Sequence, residues 1–201
     1  MSSPVALHAV LCDVDGTLID SEYLTDQAVM AALVRYAVDA KTRAAIDLSQ
    51  FHGVAWHRIA DTLRQQAPQL TAQVSSAELQ VQFQDSFHQG LLTDDPRQVP
   101  GSVAAVHAAV AAHLAVAIVS SSDRASIDHV VARLDIEELL QERIAAEDCT
   151  RSKPDPQGYL LGAARLGVLP EHCLVFEDSV AGLQAARSAG MYTIAIAGSD
   201  D

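Results

Sequence analysis

The chain reads as an α/β fold: an open parallel sheet with helices on both faces, interrupted early by an all-helical segment. Three observations predict this. Short apolar runs closed by polar residues or glycine recur along the chain, helical patterns separate them, and residues 21–93 show helical spacing with no strand among them.

The first run, Val5–Cys12, is followed by Asp13-Val14-Asp15-Gly16-Thr17-Leu18. A run of that length and character suits a strand buried on both faces of a parallel sheet. Leu114–Val119 before Ser120-Ser121-Ser122, Cys173–Phe176 before Glu177-Asp178, and Tyr192–Ala197 repeat the pattern, and Ile144–Ala146 is a weaker instance. Helices are expected at Val103–Ala112, Arg124–Leu134, Pro156–Leu166 and Val180–Ala189. Asp155 before Pro156 is a natural N-cap with proline at the first helical position. Ser179 would cap the last helix and Gly190 would end it. Within 21–93, Leu24–Ala40, Ala55–Gln66 and Ala77–Leu91 have helical spacing, punctuated by Gly53 and Pro68. Two domains are therefore expected: residues 1–20 with 94–201, and residues 21–93.

Composition narrows the function. There are 26 acidic residues against 13 Lys and Arg, a formal net charge of −13. Binding a nucleic-acid backbone needs clustered cations, which this chain lacks. A small phosphorylated metabolite remains compatible, because a divalent ion supplies positive charge locally. Cys12, Cys149 and Cys173 are too few and too scattered for a disulfide framework or a zinc site. Val103–Val119 is short for a membrane span, which needs about 20 apolar residues. It carries His107 and His113 and reads as a helix running into a strand. With no secretory pattern at Met1-Ser2-Ser3-Pro4, the expectation is a cytoplasmic protein, monomeric or weakly dimeric, with no membrane partner.

In an open parallel sheet, ligands bind beyond the carboxyl ends of the strands. Those ends carry Asp13 and Asp15, Ser120, and Glu177 with Asp178, and the loop after the weak run carries Lys153. Gathered carboxylates repel unless a cation neutralises them. Hard oxygen ligands suit Mg2+. Asp13 and Asp15 are two apart, so an extended chain points both side chains to one face. Gly16 permits a sharp turn beyond them. A lysine and a serine hydroxyl would hold phosphate oxygens, with exposed N–H groups after Asp15 and Ser120 adding to the cradle. Ser121 and Ser122 stand next to Ser120 and would serve equally as turn residues or caps.

Asp13-Val14-Asp15-Gly16-Thr17-Leu18, Ser120, Lys153-Pro154-Asp155-Pro156 and the stretch from Phe176-Glu177-Asp178-Ser179 to Gly190 resemble, in order, the four motifs of the haloacid dehalogenase superfamily. The closest likeness is to its phosphatase and β-phosphoglucomutase-like branch. The resemblance implies a Rossmann-like core with 21–93 as a helical cap domain. It implies a phosphoric monoester hydrolase acting on a sugar phosphate or a phosphoglycolate-like compound. Asp13 would be the nucleophile that forms an aspartyl-phosphate. Asp15 would be the general acid and base. Ser120, with Ser121 as its nearest rival and Gly16 beside them, would bind phosphoryl oxygens. Lys153 would pair with nucleophile and phosphoryl group. Mg2+ would be held by Asp13, Asp178 and the Asp15 carbonyl, with Glu177 as a further ligand or the holder of a metal-bound water. His52, Trp56, His57 and Arg58 match the cap loop that faces substrate.

Dehalogenation would not call for Asp15, since a halide leaves without a proton, whereas an alkoxide needs one. Two other readings follow the same motifs: a phosphosugar mutase and a non-catalytic phospho-ligand-binding relative. The mutase subgroup has an arginine where Trp56 stands and a histidine where Thr25 stands, which favours hydrolysis. Relatives also continue past the last apolar run, where this chain reaches Gly198-Ser199-Asp200-Asp201.

Overall fold

The computed structural model describes residues 6–197. Val5, at the start of the first expected strand, and Gly198 to Asp201 lie outside the described residues. The chain divides into two compact units, one holding the chain through Asp20 and from Arg97 on, the other Ser21–Pro96.

The first unit is built on five parallel strands: β1 (Ala9–Cys12), β2 (Ala115–Val119), β3 (Glu142–Ile144), β4 (Cys173–Glu177) and β5 (Tyr192–Ala195). Their order is β3-β2-β1-β4-β5. β1 is central and wholly buried, with Cys12 opposite Ile118 on one side and Phe176 on the other. From β1 the chain moves outward to β2 and β3, then crosses back to β4 and β5. Right-handed crossovers place α6 (Ser102–Ala111) and α7 (Arg124–Arg133) on one face, and α8 (Gln157–Leu166) and α9 (Val180–Ser188) on the other. On the α8–α9 face, Leu11, Val119 and Val175 pack with Tyr159, Ala163 and Ala185 in one buried cluster. Gly162 sets that spacing, because a Cβ there would lie 2.9 Å from Leu11 and 3.1 Å from Val119. The order reverses around β1, which is where open sheets of this kind receive ligands.

The third strand lies earlier than its apolar run suggests. β3 is Glu142–Ile144, and Ala146–Asp148 is a 3-10 turn. This edge strand pairs only with β2 and carries two charged residues, so its apolar signal is short. At the other edge, Tyr192 and Ile194 of β5 remain 46 and 42 % exposed.

The turn after β3 is fixed by Asp148. Its carboxylate accepts the Ala145 N–H at 2.9 Å and an Arg165 N–H at 2.9 Å, and pairs with Arg124 as well. It thereby ties the starts and ends of separate elements together: Arg124 opens α7 and Arg165 lies in the last turn of α8.

The second unit is helical throughout: α1 (Glu22–Arg35), α2 (Ala40–Ala45), α3 (Trp56–Gln66), α4 (Pro68–Thr71) and α5 (Ser76–Asp94). The single helix expected over Leu24–Ala40 breaks instead at Ala37, which takes φ +53° while the Val38 N–H bonds the Leu33 carbonyl. This closes the helix as a left-handed C-cap, here without the usual glycine. Leu79, Phe83, Phe87 and Leu91 recur every fourth residue of α5 and are all buried. Ser75 and Glu78 form a reciprocal capping box at its start. α5 runs on to Asp94, so the unit ends at Pro96 rather than at residue 93. Between the units the chain leaves and returns through a narrow neck within the first unit. There the Asp20 N–H bonds the Arg97 carbonyl at 2.8 Å and the Val99 N–H bonds the Leu18 carbonyl at 2.9 Å. Among the described residues, no helix is long and apolar enough to cross a membrane.

Burial alone would raise the pKa of Asp148, but the Ala145 N–H and the Arg165 and Arg124 charges overcome it and hold the carboxyl below its ordinary value. A depressed folded-state pKa stabilises the fold above the unfolded value, and that contribution is lost as pH falls through the folded one. Asp148→Ala should cost about 1–3 kcal/mol at neutral pH in a denaturant titration. The difference from wild type should shrink below the usual carboxylate range; a deficit unchanged in acid would assign the loss to packing.

Candidate active site

Asp13 follows β1 directly, and its backbone N–H still bonds the Phe176 carbonyl at 3.1 Å, so the sheet itself fixes its position. Glu177 ends β4, the neighbouring strand, and Asp178 follows it. Carboxylate oxygens of Asp13, Glu177 and Asp178 all lie within 4.8 Å of one another. Lys153, in the loop before α8, reaches into this group. Its Nζ donates to Asp13 Oδ1 at 2.5 Å and also to Glu177 Oε1. All of these but Asp178 are buried, and Asp178 is half-buried.

Two glycines make room for the carboxylates. A Cβ at Gly182, in the first turn of α9, would run into the Glu177 carboxylate, and one at Gly16 would run into that of Asp178. Gly16 also has φ +78°, which an L side chain resists. Thr17 donates to Asp178 Oδ1 at 3.0 Å. Ser179, the N-cap of α9, donates both its N–H (2.8 Å) and its hydroxyl (2.9 Å) to Glu177 Oε2.

The electrostatics are lopsided. Burial raises the pKa of Asp13 well above its ordinary value, and the charges of Glu177, Asp178 and Asp15 add to that rise against the pull of Lys153. Burial, with Glu177 next, lifts Asp178 to about 6. Burial would lower Lys153, yet Asp13 and Glu177 carry it well above its usual value, so it stays an ammonium. Burial would raise Glu177, but Lys153 and the Ser179 hydrogen bonds bring it down. The donor set is thus hard oxygens with excess negative charge, which fits Mg2+.

The loop after β2 closes on the loop after β1. The Ser122 hydroxyl donates to Asp15 Oδ2 at 2.6 Å, joining residues far apart in the chain. The Ser120 oxygen accepts the Ser122 N–H at 3.0 Å, which leaves its own O–H to donate. Ser121 is partly exposed between them.

The model of the haloacid dehalogenase-like hydrolases matches residues 7–190. The chain belongs to that family. It is 31 % identical to hexitol phosphatase B of Escherichia coli K12 over 196 residues, covering 98 % of this chain and 86 % of that protein. It is 29 % identical to a fructose-1-phosphate phosphatase of the same bacterium over 187 residues, covering 90 % of this chain and 92 % of that one. The β-phosphoglucomutase of Clostridium difficile shares the fold, with a TM-score of 0.81 at 21 % identity, covering 94 % of this chain and 84 % of that one. The chain is an enzyme of this hydrolase family, and its parallel sheet is a Rossmann-like core.

Against this background two of the expected site residues change role. The Gly16 N–H, expected to cradle phosphate, is spent on the Ile19 carbonyl at 2.8 Å within its own turn. Gly16 instead provides space for Asp178. Trp56, expected to face substrate, is buried in the helical unit, its ring 5.9 Å from that of Phe83 and 5.3 Å from that of Phe87. The reason is its spacing: Trp56, Ile59, Ala60 and Leu63 form one buried stripe on α3. His57 and Arg58 fall on the exposed side of the same helix. His52 is half-buried and pairs with Asp26 at 3.0 Å, while the neighbouring Gly53 N–H bonds Glu22 at 3.1 Å. Thr17, Ser122 and Tyr159 were not singled out from the sequence. The thiol of Cys12, beside Asp13, has its pKa pushed up to about 12 by burial and then by the Asp13 charge, and so remains inert.

Gly182→Ala should displace the Glu177 carboxylate and lower kcat by about a hundredfold, the scale of loss for small misplacements in a catalytic constellation. Turnover within about twofold of wild type would show that α9 shifts to accommodate the methyl.

Proposed function

We propose that the protein is a Mg2+-dependent phosphatase that hydrolyses a small phosphorylated sugar or sugar alcohol through an aspartyl-phosphate on Asp13. The observation that carries this reading is the convergence of Asp13, Asp178 and Lys153, with a second aspartate, Asp15, two residues beyond the nucleophile. The substrate class is that named for the two phosphatases the chain resembles over nearly its whole length.

In this reading an Asp13 carboxylate oxygen attacks phosphorus, and the bond from phosphorus to the sugar oxygen breaks. Asp15 gives its proton to the departing alkoxide, releasing the alcohol. It then takes a proton from water, whose oxygen attacks phosphorus and frees inorganic phosphate, regenerating Asp13. The hydrogen bond from Ser122 orients Asp15 for both transfers. Lys153 and the Ser120 hydroxyl bind phosphoryl oxygens, and Ser121 lies within the same loop. Asp13, Asp178 and the Asp15 carbonyl would hold Mg2+, with Glu177 adjoining them. When bound, the ion offsets the negative charge shared by phosphate and carboxylates. A phosphosugar mutase is disfavoured because Trp56 stands where the resemblance would call for an arginine and is buried besides.

The helical unit is proposed as a cap that sets substrate choice, with His57, Arg58 and His52 as its recognition residues. The protein acting on a phosphorylated metabolite in the cytoplasm, as a monomer or weak dimer, completes the reading.

Asp13→Asn should reduce kcat by about a thousandfold or more on a panel of hexose and hexitol phosphates with Mg2+, leaving the circular dichroism unchanged. Excess EDTA should silence wild type and added Mg2+ restore it. Activity that survives either treatment would overturn the mechanism. Arg58→Ala should lower kcat/KM on the preferred sugar phosphate by about tenfold and leave a generic aryl phosphate nearly unaffected. Equal losses on both substrates would assign Arg58 to structure instead.

A further inference from the structure

Tyr159 lies on α8 with its ring fully buried among aliphatic side chains, including Leu11, Ala163 and Val175. A phenol in such surroundings is costly unless its hydroxyl finds a partner. The partner is Glu177 Oε1 at 3.1 Å, the oxygen that Lys153 also contacts. The Lys153 ammonium lies 5.2 Å from the centre of the same ring, within the range of a cation–π contact. Tyr159 therefore touches both members of the buried pair behind the nucleophile and contacts neither Asp13 nor Asp178 by hydrogen bond.

The partners of Glu177 are the second half of the argument. Oε1 accepts from Lys153 and Tyr159, and Oε2 accepts the N–H and hydroxyl of Ser179. An ionised carboxylate has about four lone-pair sites, and here four donors fill them. Asp178 is different: its carboxylate accepts from Thr17, on Oδ1, and from its own backbone N–H. Asp13 accepts from Lys153 on Oδ1. Asp13 and Asp178 thus carry fewer donors than Glu177 and keep more lone-pair sites for a cation.

We propose that Tyr159 is a positioning residue for phosphoryl transfer, which holds Glu177 on Lys153 and so commits Glu177 to the lysine instead of to the metal ion. The chain of contacts runs from the Tyr159 hydroxyl to Glu177, from Glu177 to the Lys153 ammonium, and from Lys153 to the nucleophile. Without the phenol, Oε1 loses one of its two donors and is held by Lys153 alone, with Ser179 still on Oε2. Lys153 is then aimed less firmly at Asp13 and at the phosphoryl oxygens. The role in turnover rests on the phosphatase reading, whereas the assignment of Glu177 does not.

The test uses the full chain and three variants, Tyr159→Phe, Glu177→Gln and Asp178→Asn. Calorimetric titration with Mg2+ alone is set beside steady-state kinetics on a phosphate monoester and thermal melting. Tyr159→Phe keeps the ring and should fold. Its kcat should fall about tenfold with KM within about twofold, the scale expected for an outer partner of a catalytic group. Its Mg2+ affinity should stay within about twofold of wild type. Glu177→Gln should likewise keep most of its Mg2+ affinity while losing about a hundredfold or more in kcat, and Asp178→Asn should lose Mg2+ affinity by about tenfold or more. An unchanged kcat in Tyr159→Phe overturns the positioning role. Loss of Mg2+ affinity in Glu177→Gln comparable to that in Asp178→Asn overturns the assignment of Glu177. If Tyr159→Phe does not fold, the Glu177→Gln titration decides that assignment alone, and a failed fold counts against the positioning role. A wild-type protein inert toward every phosphate monoester would sink the functional reading while leaving the Mg2+ comparison to judge Glu177.

Discussion

One ammonium facing a group of carboxylates is the constraint on which the rest of the first unit depends. Lys153 is buried with Asp13 and Glu177, and Asp178 stands beside them. Buried charge is tolerated only when paired and hydrogen-bonded, and removing one partner leaves the others uncompensated. Here the pairing is incomplete, because a single cation cannot balance three clustered carboxylates. The fold accepts that imbalance at the one edge of the sheet where a ligand can enter. Burial first, and the neighbouring carboxylates after it, raise the pKa values of Asp13 and Asp178.

Holding such a group still requires backbone as much as side chain. β1 and β4 are neighbours in register, so Cys12 and Phe176 face each other and the residues after them, Asp13 and Glu177, emerge side by side. The turn at Gly16 and the first turn of α9 at Gly182 then press backbone against the outer carboxylates. Ser179 does two jobs at once: it caps α9 and satisfies Glu177. Thr17 donates to Asp178 from the loop after β1. The chemistry is therefore carried by loops whose shape is dictated by the sheet and helix ends they join.

Much of this was legible in the sequence, and the gaps have physical causes. Strands buried on both faces leave apolar runs that need no partner to be recognised, which is why β1 and β2 stood out, and β4 is apolar up to its closing Glu177. β3 did not, because an edge strand with Glu142 and Arg143 carries little of that signal. The acidic groups and Lys153 were visible because strand ends in a parallel sheet all open to one edge. Ser122 was hidden because its partner, Asp15, is over a hundred residues away, and three consecutive serines look alike. Tyr159 was hidden inside a helical stripe, where an aromatic ring reads as packing and nothing local reveals the bond its hydroxyl makes. Trp56 is the opposite case. Its match to a cap loop placed it facing substrate, while the stripe from Trp56 to Leu63 is a buried face. The break at Ala37 has no glycine or proline to announce it.

The neck at Asp20 and Arg97 has a consequence for how such a protein changes over time. The first unit is closed across the neck by backbone hydrogen bonds between loops, from Asp20 to Arg97 and from Val99 to Leu18. To the sheet, everything between those residues is a single long excursion whose ends are already tied. Lengthening a closed excursion adds little entropic cost, growing only with the logarithm of its length. The helical unit, with a buried core of its own, is in that sense a replaceable cassette: it can be trimmed, enlarged or exchanged by recombination at two adjacent points while the strands beneath keep their register.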